Sequence, residues 1–104
     1  MSTLKLTSQR HGSDHVVALR GELDIVSSPQ VEAELKRLEA TDATTIALDL
    51  SGLDFIDSSG LHILMAARER CRESPDRLLL QRPSARVRKV VAMAGLADVL
   101  PFAD

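Results

Sequence analysis

The residues best suited to chemistry form one short stretch, DFIDSSGLH, which runs from Asp54 to His62. It combines carboxylates, adjacent hydroxyls and an imidazole at the point where a strand pattern gives way to a helix pattern. An Asp or Ser in such a place commonly caps the helix, because its side-chain oxygen accepts hydrogen bonds from free N–H groups of the first turn. A serine there could also act as a nucleophile or accept a phosphoryl group.

Nucleophilic catalysis and metal binding find little support in the rest of the chain. The strained G-x-S-x-G turn is absent, and the candidate bases His11, His15 and His62 have a spacing that points to no common site. We expect all three histidines at the surface. The phosphate-loop and dinucleotide motifs are missing, and the single cysteine, Cys71, cannot form a cysteine cluster for a metal. The sequence therefore predicts no catalytic residue, metal or cofactor.

Accepting a phosphoryl group asks less of the chain than catalysis does. The donor enzyme supplies the nucleotide and the base, so the acceptor needs only an exposed serine in a fixed pose. A helix N-terminus suits this role, since its N–H groups tolerate an added charge of about −1.5 to −2. From spacing alone, a capping role for Asp57 or Ser58 is the commoner outcome.

Composition is typical of one globular domain, which we expect to span residues 1–104. The 104 residues are 44% hydrophobic and 27% charged. We expect no membrane insertion, because no segment approaches the roughly 20 apolar residues needed to span a bilayer. The N-terminus has no signal-peptide pattern, and a single cysteine agrees with a reducing compartment, so a cytoplasmic location is expected.

Charge and aromatic content argue against direct binding of nucleic acid. The formal net charge is −2, and the chain has two Phe and no Trp or Tyr on which bases could stack. Arg82, Arg86, Arg88 and Lys89 do cluster locally. We interpret that cluster as the solvated face of a helix.

Apolar residues at strand spacing predict four strands and a short fifth one. The predicted ranges are 4–8, 16–20, 45–50, 77–81 and, around Pro101, 99–102. In the third strand, Ile46, Leu48 and Leu50 share one face. The polar segment QRHGSDH predicts a hairpin loop between the first two strands.

Three helices are predicted between and after these strands. The first carries Val31, Leu35 and Leu38 at helical spacing, and SSP in front of it supplies an N-cap serine and an early proline. The second is apolar nearly all round over LHILMAA, so it either packs between neighbours or faces both the core and a partner. The third begins at Ser84 and ends at Gly95.

This order of elements implies an α/β fold with a mixed, mostly parallel sheet of four to five strands and helices mainly on one side. Residues 45–81 are expected to form a right-handed βαβ crossover. Sites in open α/β sheets gather in loops at the carboxyl ends of strands, and SGLDFIDSS is predicted to be the loop after the third strand.

Three stretches resemble the successive signatures of bacterial anti-sigma factor antagonists, the single-domain members of the STAS family. They are RGELDIVSSPQVEAEL, IALDLSGLDFIDSSGLHIL and VVAMAGLADVL, and together they span nearly the whole chain. The resemblance implies the STAS fold and a phosphorylation-controlled partner switch. The unmodified antagonist binds an anti-sigma factor that is also a serine kinase, which frees a sigma factor. Phosphorylation then parts the complex, and a PP2C-type phosphatase resets it.

Carried over to this sequence, the resemblance assigns the phosphorylated serine to Ser58. Asp24, in GELD, matches the acidic position of a loop beside the acceptor. The resemblance implies a partner-binding surface made of Asp24, Asp57, Ser58, Ser59, Gly60, Leu61 and His62.

Two features depart from the family pattern. His62 stands where many relatives have a small residue, and the ending LPFAD is expected to leave little room for the extra C-terminal helix of many members. The resemblance also leaves an alternative open. Other STAS proteins are docking subunits of a different assembly, either a stressosome scaffold or the soluble component of a lipid-transport complex.

Overall fold

The structure is a computed structural model that describes residues 3–103. Within that range, strands and helices alternate along the chain after an opening pair of strands. In order, the elements are β1 (Leu4–His11), β2 (Asp14–Leu23), α1 (Ser28–Glu39), β3 (Thr45–Ile56), α2 (Ser58–Arg70), β4 (Leu78–Gln81), α3 (Ala85–Met93) and β5 (Phe102–Ala103), with a 3₁₀ turn at Pro75–Arg77 before β4.

The strands form one sheet in the order β1-β2-β3-β4-β5. β1 and β2 are antiparallel, whereas β2, β3, β4 and β5 pair with one another in parallel. The predicted mixed, mostly parallel sheet is therefore confirmed. Parallel pairing also sets the carboxyl ends of β2 and β3 at the same edge of the sheet, where the segments leading into α1 and α2 begin.

One face of the sheet packs against all three helices. Alternate strand residues join helix residues in a single hydrophobic core, and its fully buried members include Val17, Leu19, Ile46, Leu48, Leu50, Val31, Leu35, Leu38, Leu64 and Val87. On the opposite face, Lys5, Thr7 and Arg20 are exposed. Most apolar residues of α2, namely Leu61, Ile63, Leu64 and Ala67, are buried within the chain, whereas Met65 and Ala66 are only partly buried.

The third strand is longer than predicted. β3 continues to Ile56, so Asp57 alone separates it from α2, and the prediction of SGLDFIDSS as a loop was wrong. The pairing of β2 with β3 shifts register at two places, one of which falls between Gly21 and Glu22. Such irregularities break the apolar alternation and turn Leu53 back towards the core, where it is fully buried.

The first hairpin is tighter than predicted. β1 extends to His11, which pairs with Asp14, so the turn consists of Gly12 and Ser13 alone. Gly12 has a φ of 65°, a left-handed conformation that glycine adopts without strain. The prediction of a surface histidine was wrong for His15, which is 8% exposed, because it shares the core-facing side of β2 with Val17 and Leu19.

The last two strands also differ from the predicted ranges. β4 begins at Leu78 because Arg77 belongs to the 3₁₀ turn before it. The Arg77 guanidinium donates to the main-chain oxygens of Glu39, Thr41 and Ala43 at 2.9–3.0 Å, which satisfies one carbonyl in the last turn of α1 and two in the segment that follows it. β5 is a two-residue strand after Pro101, not the predicted range 99–102.

Candidate functional site

The site forms where β3 leads into α2. Asp57 has an extended backbone, and its Oδ1 accepts the N–H groups of Ser59 and Gly60 at 2.9 and 3.1 Å. Its main-chain oxygen accepts the N–H of Leu61 at 3.0 Å. Asp57 is thus the N-cap of α2, and the capping role expected of Asp57 or Ser58 belongs to Asp57.

Ser58 is the first residue of α2, and its side chain is exposed. Its hydroxyl forms no hydrogen bond to any residue in the range 3–103. Because the carboxylate of Asp57 performs the capping, the hydroxyl of Ser58 is left available to solvent.

Gly60 and Leu61 hold this turn against the sheet. Gly60 is buried, and a Cβ added there would lie 2.7 Å from Ile56 Cγ1 and 2.8 Å from Leu23 Cγ. Only a glycine lets the start of α2 approach β2 and β3 so closely. Leu61 is 8% exposed and belongs to the core. These two residues therefore fix the position of Ser58 while presenting almost no surface of their own.

Asp24 organises the neighbouring loop between β2 and α1. Its Oδ1 accepts the N–H groups of Val26 and Ser27, both at 3.0 Å. These hydrogen bonds, with the Ser27 N–H contributing most, hold the pKa of Asp24 below its usual value. The Asp24 main-chain oxygen accepts the hydroxyl of Ser28 at 2.6 Å. The loop is therefore tied together by its own polar groups.

A serine, Ser27, stands at the N-cap position of α1, as expected, but its side chain does not cap the helix. The Ser27 hydroxyl instead donates to the main-chain oxygen of Glu22 at 2.8 Å and accepts the N–H of Asp24 at 2.9 Å. The buried serine stabilises the loop rather than the helix.

The loop and the start of α2 are joined through the sheet. Leu23 pairs with Ile56, and its main-chain oxygen accepts the N–H of Asp57 at 3.2 Å. Between the two segments lies an open groove, whose lining includes Ile25, Pro29, Glu32, Ser58, Ser59 and His62. Ser58, Ser59 and His62 thus share one surface. Asp24 and Asp57 belong to the segments on its two sides.

Sequence reasoning missed the apolar part of this edge. Ile25 is 73% exposed and Val26 is 64% exposed, on the same loop as Asp24. Phe55, near the end of β3, is 45% exposed. The sequence feature that could have indicated this surface is the pair Ile25 and Val26. It lies between GELD and SSP and fits neither helical nor strand periodicity.

Other chemistries have no visible site in the described part of the chain. No group of three or more His, Cys, Asp or Glu residues within 3–103 is arranged to hold a metal ion. Cys71 is 5% exposed, and burial raises the pKa of its thiol, which keeps it in the unreactive protonated form. Among the described helices, none is long and apolar enough to cross a membrane.

Relatives with known names match most of the chain. A family model described as "Mlab, STAS domain" matches residues 6–101. The anti-sigma-F factor antagonist RsfA of Mycobacterium tuberculosis is 31% identical over 103 residues, which cover 96% of this chain and 80% of the relative. The anti-sigma-B factor antagonist of Listeria monocytogenes is 24% identical over 98 residues, with 93% and 86% covered.

Solved structures show the same architecture. An anti-sigma factor antagonist from Mycobacterium paratuberculosis superposes with a TM-score of 0.84 at 25% identity, covering 95% of this chain and 84% of the other. SpoIIAA in its unphosphorylated form gives 0.79 at 27% identity, with 96% and 89% covered. Bacillus SpoIIAA in the phosphorylated form gives 0.71 at 27%, with 96% and 92% covered. Matched by the family model over nearly its whole length, the chain belongs to the STAS domain family.

Proposed function

We propose that this chain is an anti-sigma factor antagonist that works as a partner switch. Unphosphorylated, it binds an anti-sigma factor that is also a serine kinase, and a sigma factor is released. Phosphorylation of Ser58 by that kinase ends the binding, and a PP2C-type phosphatase restores it. In this role the protein is not an enzyme, acts in the cytoplasm with its partners, and neither binds nucleic acid directly nor inserts into a membrane.

The observation that carries the proposal is the free, exposed hydroxyl of Ser58 on the first residue of α2. A kinase must reach this oxygen. The cap made by Asp57 fixes the position of Ser58 without engaging its hydroxyl. The names of the relatives support the antagonist role, and the name of SpoIIAA in its two forms supports control by phosphorylation.

The partner surface in this proposal has two kinds of residue. Ser58, Ser59 and His62 line the groove, so they would contact the partner directly. Asp24 and Asp57 would set the charge beside it. Gly60 and Leu61 would contribute by holding the turn in place, since both are buried.

Electrostatic repulsion explains why phosphorylation would end the binding. A phosphoryl group adds a charge of about −1.5 to −2 next to the carboxylate of Asp57. At a separation of about 5 Å and an effective dielectric near 20, the repulsion costs on the order of 3 kcal/mol per unit of phosphate charge before salt screening. The N–H groups of Ser59 and Gly60 already bind Asp57, so they are less available to neutralise the phosphate. A partner surface that excludes water strengthens the repulsion.

Labelling by the kinase tests the assignment of Ser58. Wild type, Ser58→Ala and Ser59→Ala are incubated with radiolabelled ATP and the anti-sigma factor captured from native lysate. We expect labelling of wild type and of Ser59→Ala, and none of Ser58→Ala. Ser59→Ala is the matched control because it removes the adjacent hydroxyl from the same helical turn. Label retained by Ser58→Ala would remove the assignment.

A second candidate rests on the description of the matching family model, which names Mlab rather than an anti-sigma factor antagonist. In that case the chain would be a docking subunit of another assembly, such as a stressosome scaffold or the soluble component of a lipid-transport complex. Capture of the tagged chain from its own cells separates the two candidates. Recovery of an anti-sigma factor with kinase activity supports the first, and recovery of transporter subunits supports the second.

A further inference from the structure

The face of the sheet that the helices leave uncovered carries a groove of its own. Its polar lining consists of Lys5, Thr7, Arg20, Asp49 and Ser51, contributed by β1, β2 and β3. None of these residues lines the groove beside Ser58. The open face therefore presents a separate surface.

Two cationic side chains of this groove lie opposite each other on neighbouring strands. Lys5 and Arg20 are direct partners in the antiparallel pairing of β1 with β2, and both are exposed. Among residues 3–103, no carboxylate forms an ion pair with either of them. Like charges directly opposite one another destabilise a pair of strands, so this arrangement is not explained by the stability of the sheet.

The groove holds Arg20 in place and neutralises its own carboxylate. A Cβ on Gly52 would lie 2.8 Å from Arg20 Cγ, so the stem of that arginine lies against the glycine backbone. Asp49 accepts the N–H of Ser51 at 3.0 Å and pairs with Arg82 at 2.6 Å. Arg82 adopts a φ of 51°, which is uncommon for a residue with a side chain. The net charge of the groove with Arg82 is therefore positive.

We propose that this groove is a second docking surface, which binds an acidic, extended segment of a partner protein. Carboxylates spaced along such a segment can meet Lys5 and Arg20 in turn, while Thr7 offers a hydroxyl donor. The large exposed hydrophobic residues of the described chain, Ile25, Val26, Phe55 and Met93, lie outside the lining, which argues against a lipid surface. The lining includes no aromatic side chain on which bases could stack, which argues against single-stranded nucleic acid.

Binding of a fluorescein-labelled polyglutamate peptide, followed by anisotropy at low salt, tests the proposal. We expect saturable binding to wild type and binding about tenfold weaker in Lys5→Glu/Arg20→Glu, since two favourable charge contacts become repulsive. The matched control is Arg86→Glu/Lys89→Glu on α3, which makes the same change in net charge at exposed positions outside the groove. The control is expected to bind like wild type.

Amide chemical shifts of the wild-type protein provide a readout that needs no variant. Titration with the same peptide is expected to move the signals of Lys5, Thr7, Arg20 and Gly52 and to leave those of Ser58 and Ser59 unchanged. Three outcomes would overturn the proposal: no binding to wild type, equal weakening by both double variants, or equally tight binding of a single-stranded oligonucleotide.

Discussion

Asp57 and Ser58 are adjacent oxygen-bearing residues with different tasks. Either type can cap a helix, but the extended backbone of Asp57 directs its carboxylate to the N–H groups of Ser59 and Gly60. The hydroxyl of Ser58 is consequently free for modification. Its phosphorylation would put a second anion beside the first while the geometry of the turn is kept.

Substitutions at Ser58 can separate the effect of charge from that of size. Ser58→Asp is expected to bind the anti-sigma factor about tenfold more weakly, because it adds a like charge beside Asp57. Ser58→Asn introduces a side chain of nearly the same size as Asp but without its charge. Its affinity for the anti-sigma factor is expected to be close to that of wild type. Calorimetry measures both affinities. Equal losses in the two variants would mean that crowding, rather than repulsion, ends the binding.

The loop between β2 and α1 is the element that gives the candidate site its apolar content. It is tied by hydrogen bonds of Asp24, Ser27 and Ser28, so the exposed side chains of Ile25 and Val26 stand on a preorganised backbone. Preorganised apolar groups beside a polar site suit protein recognition, since little ordering is needed on binding. We infer that this pair supplies part of the contact with the anti-sigma factor.

Replacing the exposed apolar pair tests that contact. Ile25→Ser/Val26→Ser is expected to lower the affinity for the anti-sigma factor about tenfold or more by removing apolar area from the interface. Met93→Ser is the matched control, because Met93 is 78% exposed on α3, away from the groove. Thermal unfolding should change little in either variant. Unchanged affinity of the double variant would exclude the loop from the interface.

Elements with regular apolar spacing could be predicted, and irregular ones could not. The apolar periodicity of α1 and α3 and the alternation of Ile46, Leu48 and Leu50 matched the structure because tertiary packing follows those patterns. The far half of β3 was missed because its bulges disrupt the period of two. The hydrogen bonds from the Arg77 guanidinium to main-chain oxygens after α1 and at its end join residues far apart in the chain. No local sequence pattern therefore predicts them.

The candidate site was only partly predictable for a similar reason. The resemblance led to Ser58 and Asp24, and capping chemistry led to Asp57. The exposure of Ile25 and Val26 depends on how the loop folds back through Ser27, and apolar residues are by default assigned to the core.

At the scale of the whole molecule, several carboxylates share one direction of pKa shift. Hydrogen bonds from main-chain N–H groups lower the pKa of Asp24, and the Arg37 guanidinium lowers that of Glu34. Burial pushes the pKa of Asp49 upwards, but the Ser51 N–H and Arg82 outweigh it, so that pKa is lowered as well. A lowered pKa in the folded state means that the unfolded state binds protons first as the pH falls.

The stability contributed by these carboxylates is therefore expected to be fully present above about pH 5 and to be lost progressively as the pH falls through their ordinary and then their lowered pKa values. Urea unfolding at neutral pH and near pH 3 measures the change. Arg82→Gln removes a cation that lowers the pKa of Asp49, so its loss of stability on acidification should be smaller than in wild type. Arg86→Gln, an exposed arginine outside the ion pairs described, should behave like wild type. Identical pH profiles for Arg82→Gln and wild type would contradict the role of the ion pair.

The hydrogen bond from Asp57 N–H to the oxygen of Leu23 has a consequence for recognition kinetics. It links the segment before α1 to the start of α2 at neighbouring positions of the β2–β3 pairing. Both segments are therefore already aligned when a partner binds. Little rearrangement of this side of the interface is then needed on binding, so diffusion and orientation are expected to set the association rate. Under the proposed function, phosphorylation of Ser58 is therefore expected to act mainly on the lifetime of the complex.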